Sequence, residues 1–399
     1  MPWDKLKIYL FIRRKDYMNI DILINQVDKH NEFNILATRR FNPKEVIFIY
    51  KKEDDSFLKS LKKYYNTYFP SINFQEYIVI EGDIKELNRI ISNNKDKSTL
   101  VNLTGGSRIN SLEMLNICKD NSIKATYIDI KNKYLYIFNN EVEIIKEEFE
   151  DLELDKMIKA SGGKVINDST DLTNKKDLLL LTREIYKNLD LWHMHKQKLY
   201  DPNIFIHYAE NPKIININIE QLSIEENQLL NKILIKLKEI GGIDYINEID
   251  NKIKVYFKNE YLKSFIFKSG TWLEVATKHI INQIKEIDEV KSGVMFLWND
   301  ESKVVRNEVD VIAVKDSIPI CISCKDSDRY NEDALNELDV YSNKIGGKNA
   351  YKILVATKEP IKAAVRDRAK EMGISLIIFD GNEGKFKNKI KAVISKRED

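Results

Sequence analysis

The first third of the chain alternates short apolar runs with amphipathic segments, a pattern typical of strands followed by helices. Amphipathic segments lie near residues 19–29, 56–66 and 83–92. Apolar runs predict strands at residues 7–12, 45–50, 76–80, 125–130 and 134–138. Because strands and helices alternate, we predict a parallel α/β sheet for this region.

The pattern changes at about residue 149, where helical periods replace the alternation. Residues 149–262 predict a small, mainly helical, winged-helix-like connector with one short strand at 251–257. The last third starts with a helix and continues with strands at 309–314 and 319–325. The apolar face of that helix contains Leu273, Ala276, Ile280, Ile284 and Ile287. We therefore predict an α/β domain at 1–148, the connector at 149–262 and a second α/β domain at 263–399.

Composition places the chain among globular proteins and excludes several other classes. Hydrophobic residues make up 43% and charged residues 32% of 399 residues, so we expect packed structure throughout. The net charge is only +2, so any nucleic-acid contact must be local. No run approaches the ~20 apolar residues of a membrane span, and the N-terminus does not resemble a signal peptide. With only three cysteines, we expect no disulfide framework and a cytoplasmic location.

A glycine turn, defined here as Thr104, Gly105, Gly106, Ser107 and Arg108, lies between a predicted strand and a predicted helix. Backbone N–H groups at a helix N-terminus bind phosphate well, and Arg108 adds a cation. The segment matches neither the P-loop spacing nor the dinucleotide fingerprint, so the sequence predicts another phosphate ligand. The alternative is a tight turn in which Ser107 caps the helix, and the residues alone leave both interpretations open.

The two strands at 309–314 and 319–325 bring a second group of residues together. Four turn-like residues, 315–318, separate them, so a simple hairpin pairs Val314 with Pro319. In that register Asp310 lies opposite Ser323, and Lys325 is two positions along the same face. Metal-assisted phosphodiester cleavage needs carboxylates for the ion and a cation for the phosphate charge. The hairpin therefore predicts a candidate hydrolytic site.

Each of these residues also has an ordinary structural explanation. Thr271 and Glu274 have the spacing of a helix capping box. Asp310 is also explained as a solubilising charge on a strand, and Lys325 as the end of one. The order of the residues and their strand–turn–strand context favour the functional interpretation.

The N-terminal pattern with its glycine turn resembles the CARF domain, the sensor of CRISPR-associated proteins that binds cyclic oligoadenylate. The resemblance implies a Rossmann-like fold, a homodimer with the activator across its two-fold interface, and cyclic tetra-adenylate as the family's usual ligand. It also implies ligand contacts from the glycine turn and from the loop after the first strand. Carried over to this sequence, the residues of that loop are Arg13, Arg14 and Asn19.

The C-terminal pattern resembles the PD-(D/E)xK nucleases that are fused to CARF domains in type III CRISPR systems. The resemblance implies a Mn²⁺ or Mg²⁺ site with Glu274 and Asp310 as acids, Lys325 as the catalytic cation, and DNA or RNA as substrate. Ser323 stands where the general pattern has an acid. Glu308 or a backbone carbonyl near Cys324 is the expected substitute ligand. Together the two resemblances imply a cyclic-oligoadenylate-activated, metal-dependent endonuclease of antiviral defence.

Two other functions compete with this one. A CARF-linked ribonuclease of the helical type has Arg-x₄₋₆-His on one helix, and no arginine precedes any histidine at that spacing. The pair His193 and His195 is more typical of surface or packing than of a metal site. The remaining alternative is a CARF-regulated transcriptional regulator with an inactive nuclease-like domain, which the serine at position 323 keeps open.

Overall fold

The computed structural model describes residues 18–248, 250–268, 270–298 and 306–395. The predicted strand at 7–12 lies outside these residues. Seven described strands form the N-terminal sheet, namely β1 (Ile22–Gln26), β2 (Glu45–Tyr50), β3 (Asn73–Ile78), β4 (Thr99–Asn102), β5 (Lys124–Asp129), β6 (Tyr134–Phe138) and β7 (Val142–Lys146). Their order is β3-β2-β1-β4-β5-β6-β7, with β1 to β5 parallel and β6 and β7 antiparallel. This is the doubly wound order, which reverses between β1 and β4.

Four helices cover the two faces of this sheet. The helices are α1 (Glu32–Phe41), α2 (Asp55–Tyr68), α3 (Ile84–Ser92) and α4 (Arg108–Asp120). Apolar residues of α1 and α2 pack in one cluster, and those of α3 and α4 pack in another. Neighbouring residues of β1 point to opposite clusters, since Leu23 lies in the first and Ile24 in the second. The alternation of side chains along β1 thus explains why an apolar cluster lies on each face of the sheet.

Strand β1 lies inside the segment 19–29 that the sequence predicted only as amphipathic. All five of its residues are buried, including Asn25 and Gln26. These polar residues are tolerated because they have hydrogen-bond partners, such as Asn102, whose amide donates to the Asn25 oxygen at 3.0 Å. Because β1 contains buried polar residues, its sequence lacks the apolar pattern that would predict a central strand.

The connector combines helices with a second sheet. Its elements are α5 (Leu154–Ala160), β8 (Gly163–Asn167), α6 (Thr170–Thr173), α7 (Lys176–Lys187), α8 (Leu189–His195), β9 (Phe205–His207), β10 (Ile214–Asn218), α9 (Ile224–Glu239), β11 (Ile243–Glu248), β12 (Lys252–Phe257) and α10 (Glu260–Phe267). The winged-helix comparison corresponds to α9 followed by the β11–β12 hairpin. Strands β9 and β10 extend that hairpin into a four-stranded antiparallel sheet, and the sequence pattern did not predict β9, β10 or β11.

The C-terminal sheet has six described strands in the order β17-β16-β15-β14-β13-β8, so the connector supplies its edge strand. The elements after residue 270 are α11 (Thr271–Ile281), β13 (Glu289–Trp298), β14 (Arg306–Lys315), β15 (Ile318–Lys325), α12 (Glu332–Gly346), β16 (Tyr351–Ala356), α13 (Ala363–Glu371), β17 (Ile374–Ile378) and α14 (Glu383–Ile394). Strand β13 is absent from the sequence prediction, whereas β14 and β15 lie close to the positions predicted for them.

The two α/β regions are in direct contact. One apolar cluster runs from Leu23 and Phe48 of the first sheet to Phe296 and Leu354 of the last. A salt bridge of 2.8 Å joins Lys133, in the turn before β6, to Asp316, in the β14–β15 turn. None of the described helices is both long and apolar enough to span a membrane.

Candidate functional site

The glycine turn follows β4 at the carboxyl edge of the N-terminal sheet, where the strand order reverses and α/β proteins bind ligands. The Thr104 backbone N–H and hydroxyl both donate to the Asn102 side chain, at 3.1 and 2.7 Å. Gly106 has φ of 79°, and a Cβ at this position would lie 2.5 Å from Cβ of Gln26. Only glycine therefore fits the middle of the turn.

Two carboxylates already occupy hydrogen-bond donors of the glycine turn. The Gly106 N–H donates to Asp28 Oδ2 at 2.8 Å, and the Ser107 hydroxyl donates to Glu81. The Ser107 bond and that from Lys51 hold the pKa of Glu81 below its ordinary value. Ser107 occupies the N-cap position of α4 without a capping side-chain hydrogen bond, so the capping interpretation is wrong. The donors of the turn thus face anionic groups.

The loop after the first described strand is not the loop that the sequence predicted as a ligand contact. Because β1 is Ile22–Gln26, the loop that meets the turn is 27–31, and Asp28 lies in it. The Asn19 carbonyl accepts from the Ser98 hydroxyl at 2.5 Å, just before β4 begins. Asn19 therefore lies at the amino edge of the sheet, away from the turn, and its assignment as a ligand residue is not supported. Arg13 and Arg14 lie outside the described residues.

The predicted β14–β15 register is confirmed. Val314 pairs with Pro319 and Val311 with Ile322, which brings Asp310 opposite Ser323. Asp310 Oδ2 accepts a hydrogen bond from the Cys324 N–H at 2.6 Å and from the Ser323 hydroxyl at 3.2 Å. Ser323 therefore contributes a donor to Asp310 where the general pattern has a second acid.

Glu274 approaches this hairpin from the first turn of α11. That helix begins at Thr271 with Gly270 as N-cap and no side-chain capping bond, so the capping-box interpretation is wrong. Burial, followed by the negative charges of Asp310 and Glu308, raises the pKa of Glu274 to about 8, although Lys325 opposes the shift. These charged groups are therefore close enough to interact.

Asp310 is desolvated in a similar way. Burial raises its pKa, and the Cys324 N–H, Lys325 and Ser323 only partly oppose that effect. The Cys324 thiol is buried against Thr277, and burial raises its pKa well above the ordinary value, which makes it a poor metal ligand. Any role of this residue in metal binding is thus confined to its backbone.

We tested whether these residues fit a divalent cation. Within the described ranges, no group of three or more His, Cys, Asp or Glu is arranged to hold one. Glu274 and Asp310 are nevertheless two hard oxygen ligands, and Mg²⁺ is commonly held by one or two carboxylates, waters and substrate phosphate. Burial raises the pKa values of both carboxyls, and the charge of Lys325 opposes the shift only in part. The pair therefore fits a hard divalent cation such as Mg²⁺ or Mn²⁺.

Sequence reasoning missed a buried carboxylate directly after Lys325. Asp326 accepts hydrogen bonds from the indole N–H groups of Trp192 and Trp272 at 2.7 and 2.8 Å. His193 Nε2 lies 3.1 Å from its Oδ1, so the prediction that His193 is a surface or packing residue was incomplete. Its partners are up to 134 residues away in sequence, and no local pattern could have indicated them.

Comparison with known proteins identifies the C-terminal region. Residues 261–396 match the family model of the Card1-like endonuclease domain. No curated protein matches the chain by sequence.

Three solved structures resemble the chain in fold. Can2 from Sulfobacillus thermosulfidooxidans, solved with cyclic tetra-adenylate, has a TM-score of 0.71 at 16% identity and covers 94% of this chain and 99% of its own. Protein VC1899 from Vibrio cholerae scores 0.72 at 17% identity, with coverage of 94% and 97%. A type III CRISPR defence DNA nuclease activated by cyclic oligoadenylate scores 0.53 at 15% identity, with coverage of 87% and 47%.

These matches confirm the predicted fold class, a Rossmann-like first domain joined through a connector to a restriction-endonuclease-like domain. Sequence identity this low shows the shared fold alone. The match to the Card1-like endonuclease domain family is confined to residues 261–396 of this chain.

Proposed function

We propose that this protein is a metal-dependent endonuclease of type III CRISPR defence, activated by a cyclic oligoadenylate that binds at the glycine turn. The observation on which the proposal rests is the juxtaposition of Glu274 and Asp310 with Lys325 in a Card1-like endonuclease domain. Desolvated carboxyls next to a lysine are expensive to maintain, which is typical of catalytic sites.

Each residue has a distinct role in the proposed reaction. Glu274 and Asp310 hold the cation, and the Cys324 N–H and Ser323 hydroxyl fix the orientation of Asp310. The chemistry that a bound Mn²⁺ or Mg²⁺ supplies is activation of water and polarisation of the phosphodiester. Lys325 stabilises the negative charge that develops on the phosphate. Glu308 is exposed at the rim of the site and is the candidate additional ligand.

The test is cleavage of labelled single-stranded DNA, plasmid DNA and RNA with Mn²⁺, with and without cyclic tetra-adenylate. We expect cutting that excess chelator abolishes and that Glu274→Gln reduces to background. Strong cutting in chelator would exclude metal-dependent hydrolysis. A mobility shift without any cleavage would instead favour the transcriptional regulator. Parallel use of DNA and RNA decides the substrate.

Cyclic tetra-adenylate is the proposed activator because Can2 was solved with it and because the turn presents phosphate donors. The ligand's phosphate would take the Gly106 N–H from Asp28 and the Ser107 hydroxyl from Glu81. Arg108, exposed at the start of α4, supplies a cation. The helix N-terminus adds a favourable dipole.

We also propose that the protein forms a homodimer through the surface beside the glycine turn. Four large apolar residues are exposed there, Ile80, Ile84, Ile109 and Leu112. The Gly82 N–H donates to Asn110 at 3.2 Å, which holds the two segments that contain these residues together. Exposed apolar patches of this kind are typical of protein interfaces. Sedimentation of wild type against Ile80→Asp with Leu112→Asp tests this, and unchanged mass would exclude the surface.

The proposed route from activator to nuclease runs through the loop 27–31. Asp28 binds the turn with Oδ2 and accepts the His30 N–H with Oδ1, at 2.6 Å. The His30 ring is buried against Gly347, the residue that follows α12. A Cβ added to Gly347 would lie 2.9 Å from Nε2 of His30. Helix α12 packs on β15, the strand that ends at Lys325. Release of Asp28 would therefore shift a contact that reaches the catalytic strand.

A further inference from the structure

A buried cluster links the connector to the catalytic strand. We define the Asp326 cluster as Asp326 with Trp192, His193, Lys196, Trp272 and Thr357. The indole groups donate to Asp326 Oδ2 at 2.7 and 2.8 Å, and the Thr357 hydroxyl donates to Oδ1 at 2.9 Å. The Lys196 ammonium lies 3.1 Å from Oδ2, and His193 Nε2 lies 3.1 Å from both Oδ1 and Thr357. Both carboxylate oxygens are thus fully used.

Asp326 and one of its five partners, Trp272, lie in parts of the chain that also contain active-site groups. Asp326 follows Lys325 directly at the end of β15. Trp272 lies in the first turn of α11, two residues before Glu274, and is almost fully buried. Trp192, His193 and Lys196 belong to α8 and the turn after it, in the connector. A single carboxylate therefore fixes the acid, the lysine and the connector relative to one another.

The charge of this carboxylate is maintained by its surroundings. Burial alone would raise its pKa, but hydrogen bonds from His193, Trp192 and Trp272 and the charge of Lys196 lower the pKa to about 2. Asp326 stays ionised at any working pH. Asp326 is not a candidate metal ligand, because its two oxygens already interact with five donor groups.

We propose that Asp326 is a positioning residue of the nuclease, which holds Lys325 and Glu274 at their working separation and makes α8 of the connector part of the active site's support. The proposal rests on the proposed nuclease function. It assigns to the connector a role beyond joining two domains. Supporting contacts of this kind matter because small misplacement of catalytic groups has a large effect on rate.

The first experiment compares Asp326→Asn with wild type at saturating Mn²⁺ and activator. We expect kcat to fall about 10- to 100-fold, as for a displaced catalytic group, with an unchanged KM for substrate and an unchanged midpoint for activator. The control is Asp339→Asn, which breaks a 2.8 Å bond to Lys352 elsewhere in the same domain. Wild-type kcat in folded Asp326→Asn would overturn the proposal.

The second experiment is needed because Asp326→Asn could fail to fold. His193→Gln keeps an N–H near the position of Nε2, whereas His193→Leu removes it. We expect His193→Gln to retain kcat and His193→Leu to lose it, although both fold. Equal rates would overturn the proposal.

Calorimetric Mn²⁺ binding separates this proposal from the nuclease function. If wild type cuts nothing, the proposed function fails, yet weaker Mn²⁺ binding by His193→Leu than by His193→Gln still supports positioning of Glu274. Equal binding would contradict it.

Discussion

The glycine turn and the proposed nuclease site, which consists of Glu274, Asp310 and Lys325, have opposite electrostatic character. At the turn, backbone and hydroxyl donors are already matched by the carboxylates of Asp28 and Glu81. At the nuclease site, Glu274 and Asp310 are desolvated, and burial raises their pKa values although Lys325 opposes the shift. The activator must therefore displace carboxylates from the glycine turn, whereas a metal ion must displace protons from the carboxyls of the nuclease site. The first exchange costs little and suits a reversible signal, whereas the second makes metal binding depend on pH.

The largest expected effect separates the two sites completely. Lys325→Ala removes the cation that faces the reacting phosphate, so we expect cleavage to fall about 10³-fold, the loss typical of an electrostatic catalytic group. Activator affinity, measured by calorimetry, should be unchanged. Lys387→Ala is the matched control, since Lys387 donates to Gln283, which lies just beyond the C-terminal end of α11. A weaker activator affinity in Lys325→Ala would mean that the sites are not separate.

The second prediction concerns pH at the nuclease site. Below pH 8 the Glu274 carboxyl holds a proton that Mn²⁺ must displace, so apparent Mn²⁺ affinity should fall about tenfold per pH unit below that value. Glu274→Gln should remove this dependence. Calorimetric titration between pH 6 and 9 measures it, and a flat wild-type profile would contradict the raised pKa.

The same shift predicts a change in stability of the metal-free protein. The pKa of Glu274 is higher in the folded state than its ordinary 4.5, so folding retains a proton that unfolding releases. Stability should therefore decrease as pH rises from about 4.5 to 8, by linkage. Thermal unfolding in chelator should show a steeper decline for wild type than for Glu274→Gln, and parallel curves would exclude the contribution.

At the glycine turn, Arg108→Ala should raise the activator concentration for half-maximal cutting about tenfold, because an exposed charge-assisted bond of about 1.5 kcal/mol is lost. Lys119→Ala, at the other end of α4, is the control. The substitution Gly106→Val is unsuitable as a test of activator binding, since the valine side chain would collide with Gln26 even when no activator is bound. An unchanged midpoint and basal rate would mean that the turn is only structural.

The smallest expected effect tests the displaced anion. Asp28→Asn keeps the shape of the side chain but weakens its competition for the Gly106 N–H, so the activator midpoint should fall a few-fold. A raised basal rate would accompany it if loop 27–31 transmits the signal. Asp120→Asn is the control at the remote end of α4. A higher midpoint would show that Asp28 assists binding instead of opposing it.

The sequence was informative where chemistry and local pattern coincide. Hairpin arithmetic placed Asp310 opposite Ser323 because turn length determines register. The position of the glycine turn followed from a buried strand before it and a helix after it. Both depend only on residues that are close in sequence.

The remaining features depend on contacts between distant residues. Strand β1 was not recognised because Asn25 and Gln26 are buried through partners elsewhere in the fold. Asn19 was assigned to the turn as a result. The contacts of His193 with Asp326 and of His30 with Gly347 join residues that only tertiary packing brings together. No periodicity encodes such pairs.

Strand β8 has a consequence for how the C-terminal domain could be separated or transferred. It pairs with β13 along residues 163–167 and thereby covers the outer edge of the C-terminal sheet. A fragment that began at residue 263 would expose that edge as an unpaired template for strand addition between molecules. The C-terminal domain is therefore not an exchangeable module, and recombination in evolution would have to transfer the preceding segment with it.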